Sequence, residues 1–135
     1  MSKCHLRVQV THWIARRFPV PIMCEFSFDS GDPLAVTVIF DAEGEYPVRW
    51  VFARDLLTEG LTDRTGQGDV RMWPARCEGR RFLWIQVGNA ATGHTAMFEV
   101  PAEPVAQWLS VSFGLVPRGR EMADVDWNEL TQLIQ

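Results

Sequence analysis

The sequence predicts an α+β fold: one strongly curved or barrel-like antiparallel sheet of about seven strands, a short mid-chain helix and two C-terminal helices. Apolar residues alternate with period two through seven segments between residues 6 and 100, as in strands whose side chains point to opposite faces. The period is interrupted in mid-chain, just after Arg54. From Pro104 onward the apolar residues recur instead at three- and four-residue spacing, the stripe of an amphipathic helix.

Leu6, Val8 and Val10 alternate with Arg7, Gln9 and Thr11, so the first strand is wet on one face. Ile22, Cys24, Phe26 and Phe28 alternate with Met23, Glu25 and Ser27 in the second. Between them Arg16-Arg17-Phe18-Pro19-Val20-Pro21 reads as a break, because proline cannot donate to a central ladder. Ser30-Gly31-Asp32-Pro33 is a turn by composition. A third strand runs from Leu34 to Phe40, and a fourth from Tyr46 to Ala53 with Trp50 in phase with core residues Val48 and Phe52.

Arg54 to Thr58 begins the short helix, with Leu56, Leu57 and Leu61 inward and Gly60 as its stop. Thr65 to Asp69 reads as a tight loop. Val70–Pro74, Phe82–Val87 and Thr95–Val100 complete the strands. Pro104 suits the first turn of a helix carrying Val105, Trp108, Leu109, Ser112 and Phe113. Asp126 and Glu129 resemble a capping box for a last helix striped by Trp127, Leu130 and Ile134. The 135 residues are expected to form a single domain over 1–135.

The fifth and sixth strands are apolar on both faces. Phe82 and Trp84 point one way while Leu83, Ile85 and Val87 point the other; Trp73 opposes Val70 and Met72. An antiparallel strand usually keeps one wet face. A helix carrying Trp108, or a neighbouring subunit, is therefore expected to cover Trp73.

The chain has 47% apolar and 22% charged residues, which excludes disordered, collagen-like and coiled-coil classes. Its net charge is −4, with the acidic excess concentrated after residue 100. Nucleic-acid affinity comes mostly from Lys and Arg against phosphates, so no nucleic-acid partner is expected. The three cysteines, Cys4, Cys24 and Cys77, form no C-x-x-C pair. Their odd number suits a reducing cytoplasm. No apolar run is long enough to span a membrane.

The sequence holds no G-x-S-x-G, H-E-x-x-H or phosphate-binding loop. His5, His12 and His94 lie in separate segments without metal-ligand spacing. No catalytic residue, metal or cofactor is expected. Arg54, Asp55 and Glu59, placed around the outside of the short helix, are candidate partner-binding residues, together with Arg71 and Trp73. The alternative is a single-stranded nucleic-acid binding module, in which Trp73 stacks beside the Arg76, Arg80 and Arg81 hairpin.

The run from Trp50 through Arg54-Asp55-Leu56-Leu57-Thr58-Glu59-Gly60-Leu61 to Thr65-Gly66-Gln67-Gly68-Asp69-Val70-Arg71-Met72-Trp73-Pro74 closely resembles the SsgA-like proteins. These are sporulation and cell-division proteins of filamentous actinomycetes. Pro19-Val20-Pro21, Asp32-Pro33, Ala35-Val36 and Val125-Asp126-Trp127-Asn128-Glu129-Leu130 extend the resemblance over nearly the whole chain. It implies a non-enzymatic adaptor in septum placement, cytoplasmic and recruited to division septa. It also implies a homotrimer, a fold akin to the Whirly type, and the tubulin-like division protein FtsZ or a septal adaptor as partner.

Overall fold

The computed structural model describes residues 2–89 and 91–122. Ten elements follow in chain order: β1 (Lys3–Ile14), β2 (Phe18–Asp29), β3 (Ala35–Phe40), β4 (Val48–Ala53), α1 (Arg54–Gly60), β5 (Thr65–Gln67), β6 (Val70–Cys77), β7 (Arg80–Asn89), β8 (His94–Pro101) and α2 (Ala102–Leu115). All strands join one antiparallel sheet in the order β4-β3-β2-β1-β8-β7-β6-β5. Each half is a four-stranded meander followed by a helix. The halves meet at a short seam, where Thr11 and His12 of β1 pair with Glu99 and Phe98 of β8. α1 links the two edge strands β4 and β5, so the sheet curls into a half-barrel with α2 packed inside against β1 and β7.

The inner face is the core. Val10, Cys24, Phe26, Val38, Phe52, Met72, Leu83, Ile85 and Val100 point inward and are buried, as the alternation predicts. Trp108 of α2 meets Phe26 edge-on at 5.7 Å between centroids, a favoured aromatic arrangement. Trp50 points inward as expected but is only half-buried, because β4 is an edge strand. Burial pushes the Cys24 thiol up to about 12 and lowers the pKa of His12. His12 stacks on Phe98.

Four expectations need correction. There are eight strands, because Thr65–Gln67 pairs with Val70–Met72 instead of looping. Pro19 and Pro21 do not break β2; they pair in register with Trp13 and Thr11. Both fall on the same ladder parity, and the β3 pairing begins only at Cys24, so their missing donors face an open edge. Pro74 likewise does not end β6, which pairs with β7 through Cys77↔Arg80. Gly60 lies inside α1, and Leu61 caps the helix in right-handed geometry. Glycine is needed there because a Cβ would come within 2.8 Å of the Met72 Cβ. The helix expected over residues 126–134 lies outside the described residues.

The β1–β2 hairpin turns through Ala15 (φ 52°) and Arg16 (φ 59°), with Arg17 N–H donating to the Ile14 carbonyl at 3.0 Å. Two consecutive non-glycine residues in left-handed geometry are strained, by roughly 1–2 kcal/mol each. The matching turn between β6 and β7 uses Glu78-Gly79, where glycine relieves half of that strain.

Candidate functional site

On the outer face of the curled sheet, Trp73 of β6 pairs directly with Trp84 of β7. Their rings lie 6.4 Å apart and 23° from parallel. Trp13, at the end of β1, lies 6.4 Å from Trp84 at 47°. All three are half-buried. Among the described residues no helix covers them, since α2 and α1 pack on the inner face.

Two arginines rise over this aromatic floor. The Arg64 guanidinium sits 5.1 Å above the Trp73 ring, within range of a cation–π contact. Arg16 enters from the strained hairpin. Together with Gln86 and Met97 these residues line an open groove of about 470 Å³. A second depression of about 390 Å³ shares Arg64 and Gln86 and runs on to Arg71 and Asn89. The arrangement offers flat apolar surface, cationic rims and two side-chain amides, Gln86 and Asn89. Among the described residues, no three His, Cys, Asp or Glu side chains gather to hold a metal ion.

Arg54 forms a separate feature inside the half-barrel. It is 1% exposed. One guanidinium nitrogen donates to the Ser112 carbonyl at 3.1 Å and to Ser112 Oγ at 3.4 Å; the other donates to Glu121 Oε1 at 3.2 Å. The plane lies 4.7 Å from the Phe28 ring centroid and 4.2 Å from that of Phe113. The Glu121 carboxyl accepts from its own backbone N–H, from Arg54 and from Gly119 N–H, which together hold it below the usual carboxylate range. Arg54 thus ties the start of α1 to the end of α2 and the turn beyond it.

The five residues singled out from sequence do not make one surface. Arg54, expected outside the core, is buried: an arginine that can fork between a carbonyl and a carboxylate and stack on two rings is stabilised inside. Asp55 is exposed and pairs with Arg118 at 3.4 Å. Glu59 is exposed and accepts from Thr65 Oγ1 at 3.2 Å, bracing the segment that follows the helix. Arg71 donates to the carbonyls of Gly68 and Val70, closing its own turn. Trp73 is not covered by the helix carrying Trp108, because its parity puts it on the opposite face of the sheet. Of the five, Trp73 lines the main groove and Arg71 the adjoining depression.

Sequence reasoning missed Trp13 and Arg64, and read Arg16, with Arg17, only as a basic turn tip. Trp13 was legible, since it continues the wet parity of Arg7, Gln9 and Thr11 into the second aromatic face. Arg64 was not, because its position over Trp73 depends on the Thr65–Gln67 pairing with Val70–Met72, a segment that reads as a loop in the sequence.

Residues 22–121 match the family described as Streptomyces sporulation and cell division protein, SsgA. The sporulation-specific cell division protein SsgB of Streptomyces coelicolor is 34% identical over 126 residues, covering 93% of this chain and 89% of that protein. A solved structure from work on SsgB mutations that correlate with longitudinal cell division during sporulation of S. coelicolor superposes with a TM-score of 0.82. It is 33% identical and covers 90% of this chain and 94% of its own. The crystal structure of an SsgA-like sporulation-specific cell division protein from Thermobifida fusca superposes with a TM-score of 0.86 at 29% identity, covering 99% of this chain and 96% of its own. The chain belongs to the SsgA family, as the Trp50–Pro74 resemblance implied.

Proposed function

We propose that this SsgA-family chain is a non-enzymatic adaptor in sporulation-specific cell division, acting by protein–protein contact at the site of septation. The observation that carries this reading is the outer sheet face. Trp13, Trp73 and Trp84, each half-buried, line an open groove that the described helices leave uncovered. Exposed apolar patches on soluble folds mark contact surfaces, and Trp with Arg is the composition of interface hot spots. The candidate partners are the division machinery itself, FtsZ or a septal adaptor, and further copies of the chain in a homotrimer. Asp55 and Glu59, exposed on α1, form a second contact element. Arg54 does not belong to it, being buried. No helix among the described residues is long and apolar enough to cross a membrane, so recruitment to the septum is assigned to these contacts.

A tagged protein recovered from sporulating cells is expected to bring down division or wall-synthesis proteins, and light scattering at micromolar concentration to give a trimer mass. Recovery of no such protein would sink the adaptor reading, and a clean monomer mass would remove the trimer.

A single-stranded nucleic-acid module is favoured by one specific observation, tryptophan beside arginine on an open sheet face. It is disfavoured by the charge. Arg71 is engaged with its own turn, Asp69 borders the second depression, and the chain carries net −4. The two arginines bordering the main groove, Arg16 and Arg64, neutralise only about two phosphates, too few for appreciable affinity at physiological salt.

A further inference from the structure

We propose that the outer groove is a docking track for a short, extended, acidic segment of a partner protein, with proline rings seated on the tryptophans. The proposal rests on the adaptor reading and names the chemistry of its contact surface.

Shape comes first. The two depressions adjoin through Arg64 and Gln86, so the groove is longer than it is wide. It crosses β1, β8, β7 and β6, three interstrand steps. At ~4.8 Å per step that is about 14 Å. A polyproline II segment rises ~3.1 Å per residue, so four or five residues span it. A compact small molecule would leave one end empty.

Charge and surface type then choose among extended ligands. The first depression is bordered by Arg16 and Arg64. Glu99 pairs with Trp84 beside it and Asp69 borders the second depression with Arg71, so the cationic rim of the track lies at the first. In a chain of net −4 this is a local cationic spot, complementary to one or two carboxylates. Both arginines are exposed, and carboxylates offer each a charge-assisted, two-pronged contact. The floor is built from Trp73 and Trp84 lying nearly parallel and side by side, with Trp13 tilted at one end. Flat aromatic floors of this type take proline-rich segments, whose fixed backbone loses little entropy on binding. Gln86 can donate to and accept from the peptide backbone. A nucleic-acid strand also stacks on tryptophan, but it brings one phosphate per nucleotide to a site with two free cations.

The test uses the purified full-length chain, nitrogen-15 labelled so that each indole N–H is read separately. Three probes are titrated: a ten-residue peptide alternating Pro with Asp and Glu, the same peptide with every acid replaced by Lys, and a ten-nucleotide oligothymidylate. The acidic peptide is expected to shift the Trp13, Trp73 and Trp84 indoles and leave buried Trp108 still. The dissociation constant should lie in the tens to hundreds of micromolar and rise with salt over the ~8–10 Å screening range. Arg16→Gln and Arg64→Gln, both at exposed positions, should each weaken binding about tenfold, the loss of one charge-assisted contact. Trp73→Phe should weaken it further while the remaining indole spectrum stays native.

Several results would overturn the proposal: no shift of the three indoles at millimolar peptide, equal binding of the lysine peptide, or tighter binding of the oligonucleotide. Indole shifts that depend only on protein concentration would overturn it too, since they would assign the face to a second copy. Failure here, with division proteins still recovered from cells, would reject this surface and leave the adaptor reading intact.

Discussion

Replacing Arg54 by alanine removes a guanidinium that is held on two sides and stacked on two faces. Three hydrogen bonds are lost, to the Ser112 carbonyl, Ser112 Oγ and Glu121, together with contacts to the Phe28 and Phe113 rings. Hydrogen bonds to charged groups contribute ~1.5–3 kcal/mol each and cation–π contacts ~0.5–2 kcal/mol. These contributions are not additive, since one side chain makes them all. The measured scale for breaking a buried ion pair is ~3–5 kcal/mol, and Arg54→Ala is expected to fall there. Arg54→Lys keeps the charge but loses the fork and the planar stack, so it should cost about half as much.

The assay is equilibrium urea unfolding followed by far-ultraviolet circular dichroism. With a slope of ~1–3 kcal/mol/M, the Arg54→Ala midpoint should fall by about 2 M with little change of slope. The acid side supplies a second readout. The Glu121 carboxyl lies below its ordinary pKa in the folded chain. Its contribution to stability is therefore present above the unfolded carboxylate pKa and is lost as pH falls through the lower folded value. Arg54→Ala should flatten part of that dependence. A loss under ~1 kcal/mol, the scale of an exposed pair, would refute the reasoning and return Arg54 to the surface.

Ala15→Asn places a residue tolerant of left-handed geometry in the β1–β2 turn, so the urea midpoint should rise by the equivalent of about 0.5–1 kcal/mol; a fall would mean the turn is not strained. Asp55→Ala with Glu59→Ala removes one exposed ion pair and one exposed hydrogen bond, so stability should change by less than ~1 kcal/mol while partner recovery from cells drops. Unchanged recovery would take these residues out of the contact surface. The buried Cys24 thiol, pushed up to about 12 from 9.0, ionises in the unfolded chain before it does in the folded one. Stability is therefore unaffected below about pH 9 and lost between there and 12, at ~1.4 kcal/mol per pH unit. Cys24→Val should remove this alkaline slope in urea midpoints measured at pH 8 and pH 10.5.

The strands were legible because the inward residues follow strict period two from Val10 through Val100, and the sheet buries one parity throughout. Trp84 and Trp73 were legible as residues of the other parity; the helix expected over Trp73 packs on the opposite face instead. Prolines 19, 21 and 74 misled because a proline forbids pairing on one side of a strand only, and which side is open depends on strand order. Gly60 misled for a related reason. A glycine beside a helix end reads as a left-handed stop, while here it makes room for β6, a neighbour distant in the chain until the sheet curls. Thr65–Gln67 looked like a loop because three residues carry too little alternation to mark a strand.

Arg54 shows most clearly where local reading stops. A charged residue opening a helix is ordinarily solvated, and Asp55 beside it is. What draws Arg54 inward is supplied by chain 58 and 67 residues away, at Ser112 and Glu121. The interaction therefore couples the two halves of the molecule. The β1–β8 seam between the meanders is two residue pairs long, so the halves are held mainly by the shared core and by this arginine. The inner face thus spends the one charge buried among the described residues on holding the halves together. The arginines that border the main outer groove, Arg16 and Arg64, stand exposed and free to meet a ligand. Loss of Arg54 should act mainly through the fold, and loss of Arg16 or Arg64 mainly through binding. A variant set in which both classes alter stability equally would contradict that division of labour between the two faces.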